Sequence, residues 1–529
     1  MLKRKKRTAL VVLTSAIIVV AVAPVVPAIY SRAVNIYDKI QVLNQIITIV
    51  NDNYVEPVDW DGALDGAFHG MLDRLDPHSA YIPRERLENI TEQFHGQFEG
   101  IGIEFDILNG YITVIAPVAG SPSDRVGLQP GDQIVRINGN DAFEITREEV
   151  FDKLRGPKGS AVTVTISRAG LDETFDVEII RDKIPIHSVI ATFMLDEETG
   201  YIRLSRFATN TSDEVHGAIR TLIAQGMTQL IFDLRTNSGG YLEQAVAVAD
   251  YFIADRDTLV YTAGRQRDAT EVYFANPDIG YGDFSLIVLI NRWSASASEI
   301  VAGAVQDLDR GLIVGETSFG KGLVQRQWPL KDGSALRVTI ARYYTPTGRL
   351  IQKPYDNGTH EYYRELAREG REKSLDSLRV DKPSYRTKAG RTVFGGGGIT
   401  PDVYVPFASL TGTTSKIVGH PERFTFNWGT DYAAQSKDDW SSVQEFAGSF
   451  KVTDRVMADF KSFISSEDVE FDEAELEKDT EYLKTVMKAE IAGALWGKQA
   501  YYHLLVMGDV QVIEARSHFD EAKAFLARQ

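Results

Sequence analysis

Leu230-Ile231-Phe232-Asp233-Leu234-Arg235-Thr236-Asn237-Ser238-Gly239-Gly240-Tyr241-Leu242 is the stretch whose reading decides the architecture. Leu230 to Leu234, apolar except for Asp233, read as a buried strand. The Gly-Gly pair reads as a turn, and Leu242 to Phe252 follows with helical spacing. The unit recurs along the chain. Tyr201-Ile202-Arg203-Leu204 is a strand ahead of a helix from Asp213 to Gln225. Leu286 to Asn291 is a strand ahead of a helix from Ala297 to Leu308, and Ser334 to Thr345 returns as strand. Alternation of this kind predicts an α/β sheet with crossover helices over residues 185–407.

Outward from this core the pattern changes. Residues 94–183 carry short alternating strands with glycines at the turns, at Tyr111 to Ala116, Ile134 to Ile137 and Val162 to Ser167. A helix from Thr146 to Leu154 completes a small β module. Residues 33–92 read as helical. Ile36, Ile40, Leu43, Ile46, Ile47 and Val50 recur at helical spacing, and Leu75-Asp76-Pro77-His78-Ser79 stops the run. Residues 355–398 are charged and polar and end in Gly395-Gly396-Gly397-Gly398, which predicts a mobile excursion. Residues 408–529 read as a polar helical tail, with apolar spacing at Leu483, Val486, Met487, Ile491 and Leu495.

The chain starts differently. Lys3-Arg4-Lys5-Lys6-Arg7 precedes an apolar stretch from Ala9 to Ile29, so residues 1–30 are expected to be a signal peptide or a signal anchor. Either puts the rest of the chain outside the cytoplasm, in a periplasmic or other extracytoplasmic space, held at the inner membrane if the segment is uncleaved. The net charge of −17 argues against sequence-independent nucleic-acid binding. With no cysteine, a thiol nucleophile, a disulfide framework and a Cys-ligated metal are excluded.

Two regions carry candidate chemistry. Gly100-Ile101-Gly102-Ile103 stands just before a strand, where backbone N–H groups can be pointed at a carboxylate. A strand edge beside a helix can then take an added peptide strand. The run from Gly120 to Ile134, with Pro122, Gly127-Leu128, Pro130-Gly131-Asp132 and then Ile137-Asn138-Gly139, closely resembles PDZ domains of bacterial proteases. The resemblance implies that Gly100, Ile101, Gly102 and Ile103 bind a peptide C-terminus. The helix near Glu148 to Leu154 would form the far wall of the groove.

The second region is Asn291-Arg292-Trp293-Ser294-Ala295-Ser296-Ala297-Ser298-Glu299, which joins a buried strand to a helix. A hydroxyl there faces the free N–H groups of a helix N-terminus. Ser296 with Glu299 also has the spacing of a capping box, and from this segment alone a cap is the simpler reading. Gly315 to Lys321 matches a phosphate loop except that Gly322 stands where Ser or Thr is needed. Alternatively, Lys321 is a general base made neutral by burial.

Together, Ser294-Ala295-Ser296-Ala297-Ser298-Glu299 and Ser318-Phe319-Gly320-Lys321-Gly322 resemble the carboxyl-terminal processing (tail-specific) proteases. The likeness covers residues 36–406. It implies a ClpP/crotonase-like α/β serine protease core with an inserted PDZ module, an N-terminal helical segment and a C-terminal helical tail. It implies Ser296 as nucleophile, Lys321 as general base, and Gln325, one helical turn beyond, to orient the lysine. An N–H from the turn at Gly239 or Gly240 would pair with that of Ala297 as an oxyanion hole. Ser238 stands where Pro is commoner and Trp293 where Gly is commoner, and neither change removes a reacting group.

The expected activity is endoproteolysis of proteins with exposed apolar C-termini, with no metal or organic cofactor. The alternative is an inactive PDZ scaffold that only binds peptides. A triad built on His78 competes for the role of base, and Arg155 is expected to link the PDZ module to the protease body or to lie solvated in a turn. An adaptor or regulator and a homodimer are left open as partners.

Overall fold

The computed structural model describes residues 25–356, 358–365 and 382–526. The signal segment expected over residues 1–30 lies largely outside them. The described residues divide after Arg74 into two compact units. In the first, Val25–Asn53 and Trp60–Leu72 are helices, the second capped by Asp59, whose side chain accepts from the Gly62 N–H. Among the described residues no helix is long and apolar enough to cross a membrane.

The second unit is built on a six-stranded sheet: β1 (Val189–Met194), β2 (Thr199–Leu204), β3 (Gln229–Asp233), β4 (Ser285–Ile290), β5 (Leu312–Gly315) and β6 (Val403–Tyr404). Strand order in the sheet follows chain order. β1 and β2 are antiparallel, and β2 to β6 run parallel. Crossovers that all advance in one direction and share one hand place their helices on one face. Accordingly α1 (Thr211–Ala224), α2 (Leu242–Asp250) and α3 (Ala297–Asp307) share a single core with Leu230, Phe232, Leu286, Val288, Ile290 and Ile313.

Side chains alternate across a strand, so the residues between these point to the other face. Tyr201, Ile231, Ile287, Leu289, Leu312 and Val314 are buried there against Val512, Ala515, Phe519, Ala522 and Phe525. The sheet's second layer is therefore the end of the tail, the helices Val510–Ser517 and Phe519–Leu526. This explains why the strands read as continuous apolar runs: both faces are covered.

A five-stranded antiparallel sheet lies beside this core, formed by Ala80–Ile82, Thr258–Gly264, Glu271–Phe274, Leu323–Pro329 and Ala335–Tyr344. Residues 33–92 read as helical, interrupted at Leu75 to Ser79, with no strand expected. Ala80–Ile82 is instead a strand pairing with Ala335–Arg337. Its residues Tyr81 and Ile82 bury their side chains, which a solvent-facing helix would not.

The PDZ module has strands Ile103–Leu108, Tyr111–Pro117, Gln133–Ile137, Ala161–Ser167 and Phe175–Ile180 over their own core, with the helix Arg147–Leu154 started by a Thr146–Glu149 capping box. Ile103–Leu108 is an edge strand. The tail holds a separate helical core around Trp428, Phe446, Phe460 and Met487. It meets the PDZ edge through Arg423–Asp106 at 3.0 Å and Lys498–Glu104 at 2.7 Å. Gln499 caps the open edge of β1, accepting from the Thr192 N–H and donating to the Ile190 carbonyl.

In its described parts the segment expected to be an excursion carries regular structure. Thr359–Arg364 is a helix, and Ser384–Arg386 pairs with Thr392–Phe394. The four glycines make a hydrogen-bonded turn. The Gly396 and Gly398 N–H groups donate to the Leu350 and Ile351 carbonyls, and a Cβ on Gly398 would meet the Ser318 carbonyl at 2.5 Å. Glycine at 398 permits this close approach.

Candidate active site

Ser296 stands where β4 gives way to α3. The turn is stapled to the one after β3. Ser294 Oγ donates to the Leu234 carbonyl, Ser298 Oγ to the Asn237 carbonyl, and the Thr236 N–H to Asn291 Oδ1. Ser296 has φ +55°, a region costly for a residue with a Cβ, and its surroundings impose it. Its carbonyl accepts from the Tyr343 hydroxyl at 3.0 Å. The strained turn presents the half-buried serine at the helix N-terminus.

Lys321 arrives on the other segment. It lies between Gly320 and Gly322, just before the strand Leu323–Pro329. Its amine donates to Gln325 Oε1 at 3.1 Å, and the Gln325 amide nitrogen donates to the His78 carbonyl. Both ends of the amide are thus committed, which settles its orientation. Gln325 sits on a strand, not a helix, so the spacing of one helical turn has another origin. The strand Leu323–Pro329 carries a bulge between Val324 and Gln325, and the long lysine and glutamine side chains span the rest of the separation. Burial, aided by the Arg337 guanidinium, pulls the amine down to about 8, against the opposing charges of Glu299 and Asp76.

Glu299 joins the two segments. This buried carboxylate accepts from the Ser296 N–H at 2.8 Å and the Lys321 N–H at 2.9 Å through Oε2. Through Oε1 it accepts from Ser318 Oγ at 2.5 Å and the Gly320 N–H at 2.7 Å. Burial pushes its pKa up. However, Ser318 Oγ already accepts from the Ile399 N–H, so all four neighbours are donors and favour the ionised form. The Ser-x-x-Glu spacing signalled the cap; that the same carboxylate also grips the lysine turn left no local signal. Among the described residues no hydrogen bond joins Lys321 Nζ to Ser296 Oγ.

Gly239 lies against the serine. A Cβ on it would meet Ser296 Cβ at 2.8 Å and the Ala297 nitrogen at 3.0 Å. Its own N–H is taken by Asn237 Oδ1 at 2.9 Å. Among the described residues neither the Ala297 N–H nor the Gly240 N–H has an acceptor.

His78 makes contact through its backbone as well as its ring. The ring bonds the Tyr362 hydroxyl at 3.0 Å and packs on Tyr362 and Tyr363. Burial and the nearby Lys321 charge depress it to about 3, so it is neutral. Asp76 secures the loop, accepting from the His78 N–H, the Ser79 N–H and hydroxyl, and Thr339 Oγ1.

In the PDZ module the Ile101 and Gly102 carbonyls are used by Ser123 and Ser121, while among the described residues no acceptor takes their N–H groups. Gly100 to Gly102 are buried and Ile103 half-buried. Arg155 bonds Glu92 Oε2 at 2.6 Å and lies over Phe98 and Phe151. Glu92 belongs to the helix Arg84–His95, so Arg155 ties the module to that helix and is not a solvated turn residue.

Residues 198–361 match peptidase family S41, residues 113–168 a PDZ domain, residues 28–86 the N-terminal domain of the activating protease CtpB, and residues 422–497 a family of unknown function. The carboxy-terminal-processing protease of Bartonella bacilliformis is 38% identical over 60% of this chain and 74% of its own length. The chain belongs to the carboxy-terminal-processing protease family. Carboxy-terminal processing proteases CtpB and CtpA of Bacillus subtilis are each 34% identical, over 58% and 60% of this chain and 64% and 67% of their own. Family membership accounts for the α/β core with an inserted PDZ module.

Proposed function

We propose that this family member is an exported serine endopeptidase in which Ser296 is the nucleophile and Lys321 its base. The observation that carries the reading is the joint one around Glu299. A single buried carboxylate ties the Ser296 turn to a lysine whose amine burial holds down to about 8. At that value about a tenth of Lys321 is neutral at pH 7, far more than of an ordinary lysine, and can accept the Ser296 proton. For the transfer the neutral amine can keep one N–H on Gln325 Oε1 while its lone pair accepts the Ser296 hydroxyl proton. The serine oxygen attacks a peptide carbonyl and the oxyanion forms facing the Ala297 and Gly240 N–H groups; the C–N bond breaks as the Lys321 ammonium returns its proton to the departing amine, and water, deprotonated by Lys321, then hydrolyses the acyl-enzyme and restores the Ser296 hydroxyl. The Gly239 N–H is the weaker candidate donor, since Asn237 already holds it.

The PDZ loop at Gly100 to Ile103 receives the substrate's C-terminal carboxylate through the Ile101 and Gly102 N–H groups, while the chain adds to the Ile103–Leu108 edge. Export follows from the basic and apolar run at the N-terminus. Ser296→Ala and Lys321→Ala, assayed beside wild type on one unfolded substrate with an apolar C-terminus, test the dyad. Each is expected to lose at least about 10³-fold in kcat. Cleavage that survives Ser296→Ala would remove the assignment. Peptide binding with no cleavage by wild type would favour the inactive scaffold.

A further inference from the structure

The turn that carries Gly239 is braced by a part of the chain outside residues 198–361, where the peptidase family matches. Arg235 lies two residues beyond the end of β3 and is only 4% exposed. Its Nε and Nη2 donate to the Asp233 carboxylate at 3.0 and 2.7 Å. Asp233 also accepts from the Arg235 N–H and from the Tyr201 hydroxyl. The remaining edge of the guanidinium faces the tail. Nη1 donates to Asp509 Oδ1 at 3.1 Å and to Gln511 Oε1 at 2.7 Å. Asp509 is also the cap of the helix Val510–Ser517, accepting from the Gln511 and Val512 N–H groups. The Gln511 amide nitrogen donates onward to the Val405 carbonyl.

A guanidinium is a rigid planar fork, so acceptors on two edges fix its orientation. Asp233 alone fills one edge and leaves a buried donor unmatched on the other. With the tail in place Arg235 is held on both sides, and the five residues after it lead to Gly240. Gly239 packs against Ser296 Cβ and the Ala297 nitrogen, so a shift of this turn moves the oxyanion site relative to the nucleophile.

We propose that Asp509, together with Gln511, is a positioning residue for the oxyanion turn, so that the C-terminal tail completes the active site. The inference rests on the proteolytic reading above. Asp509→Ser in the full-length chain separates this role from capping. Serine caps a helix about as well as aspartate but is too short to reach Arg235. Asp509→Asn keeps both the cap and an acceptor for Arg235.

The expected result is a fall in kcat of about 10-fold for Asp509→Ser, with KM within about twofold and slower labelling of Ser296 by a fluorophosphonate probe. Asp509→Asn should retain at least half of wild-type kcat. Exchange of the Thr236 to Gly240 amides should quicken in the serine variant and not in the asparagine one. Wild-type kcat in Asp509→Ser, or equal losses in both variants, would overturn the proposal. If Asp509→Ser does not fold, Gln511→Ala leaves the cap intact and decides: an unchanged kcat overturns the proposal and a selective loss supports it. A wild-type enzyme that neither cleaves nor labels sinks the proteolytic reading instead. Amide exchange in the turn then still supports or overturns the positioning role.

Discussion

At the scale of single residues, the demand on Lys321 is chemical: it must be unprotonated where an ordinary lysine is charged. Burial and Arg337 push its pKa down, while Glu299 and Asp76 push it up, and the balance settles at about 8. Because the neutral form is the base, kcat/KM should rise with pH and level off above about 8. A profile measured from pH 6 to 10 on a substrate without titrating groups checks this, and a flat profile would argue against a lysine base. Histidine as base would instead give a limb near the ordinary imidazole range, which the depressed His78 ring does not supply. Glu299 shows the limit of reading residues one at a time. Its spacing from Ser296 announced a helix cap, and the cap is there in part, since its carboxylate holds the Ser296 N–H. The bonds to Ser318, Gly320 and Lys321 come from a segment about twenty residues on, and nothing in a three-residue spacing reports them.

At the scale of elements, the alternating apolar runs were enough to place the strands and crossover helices of the core. The run read as Leu230 to Leu234 forms Gln229–Asp233, and the helix read from Leu242 ends at Asp250. Elements whose burial comes from distant partners were misread. Ala80–Ile82 is a strand because Ala335–Arg337 offers it a ladder, and the glycine run forms a turn because Ile351 accepts from the Gly398 N–H and Ser318 leaves no room for a side chain at 398. In the PDZ module, Gly102 has φ +82°, and a Cβ there would lie 2.4 Å from Ser121 Cβ. Gly102→Ala should therefore weaken binding of a peptide with a free apolar C-terminus by about 10-fold or more, from the cost of a left-handed alanine. Cleavage of a short substrate with an amidated end should change by less than about twofold. Titration calorimetry beside a proteolysis assay measures both. Equal binding of the tailed peptide by wild type and variant would show that this loop is not the carboxylate site.

At the scale of the whole molecule, the tail covers the second face of the protease sheet. Phe519 is 4% exposed in the core it shares with Ile231, Ile287 and Val314. Phe519→Ala should cost about 3–5 kcal/mol of stability. It should also speed hydrogen exchange in β3 and β4, as read by mass spectrometry after brief labelling. Phe446→Ala, in the tail's separate helical core, should leave those strands protected. Equal exchange in the two variants would mean that the tail's final helices are not part of the sheet's packing. By itself the sequence determined what depends on local order: apolar periodicity, glycine turns, the absence of cysteine, and the paired Ser and Lys segments that mark the family. Only the tertiary structure decided that Glu299 clamps the serine to the lysine, that the His78 carbonyl aims Gln325, and that Asp509 braces Arg235. The physical reason is that a hydrogen bond or a buried face depends on distance in space, and each of these partners is brought close by the fold, not by its position along the chain.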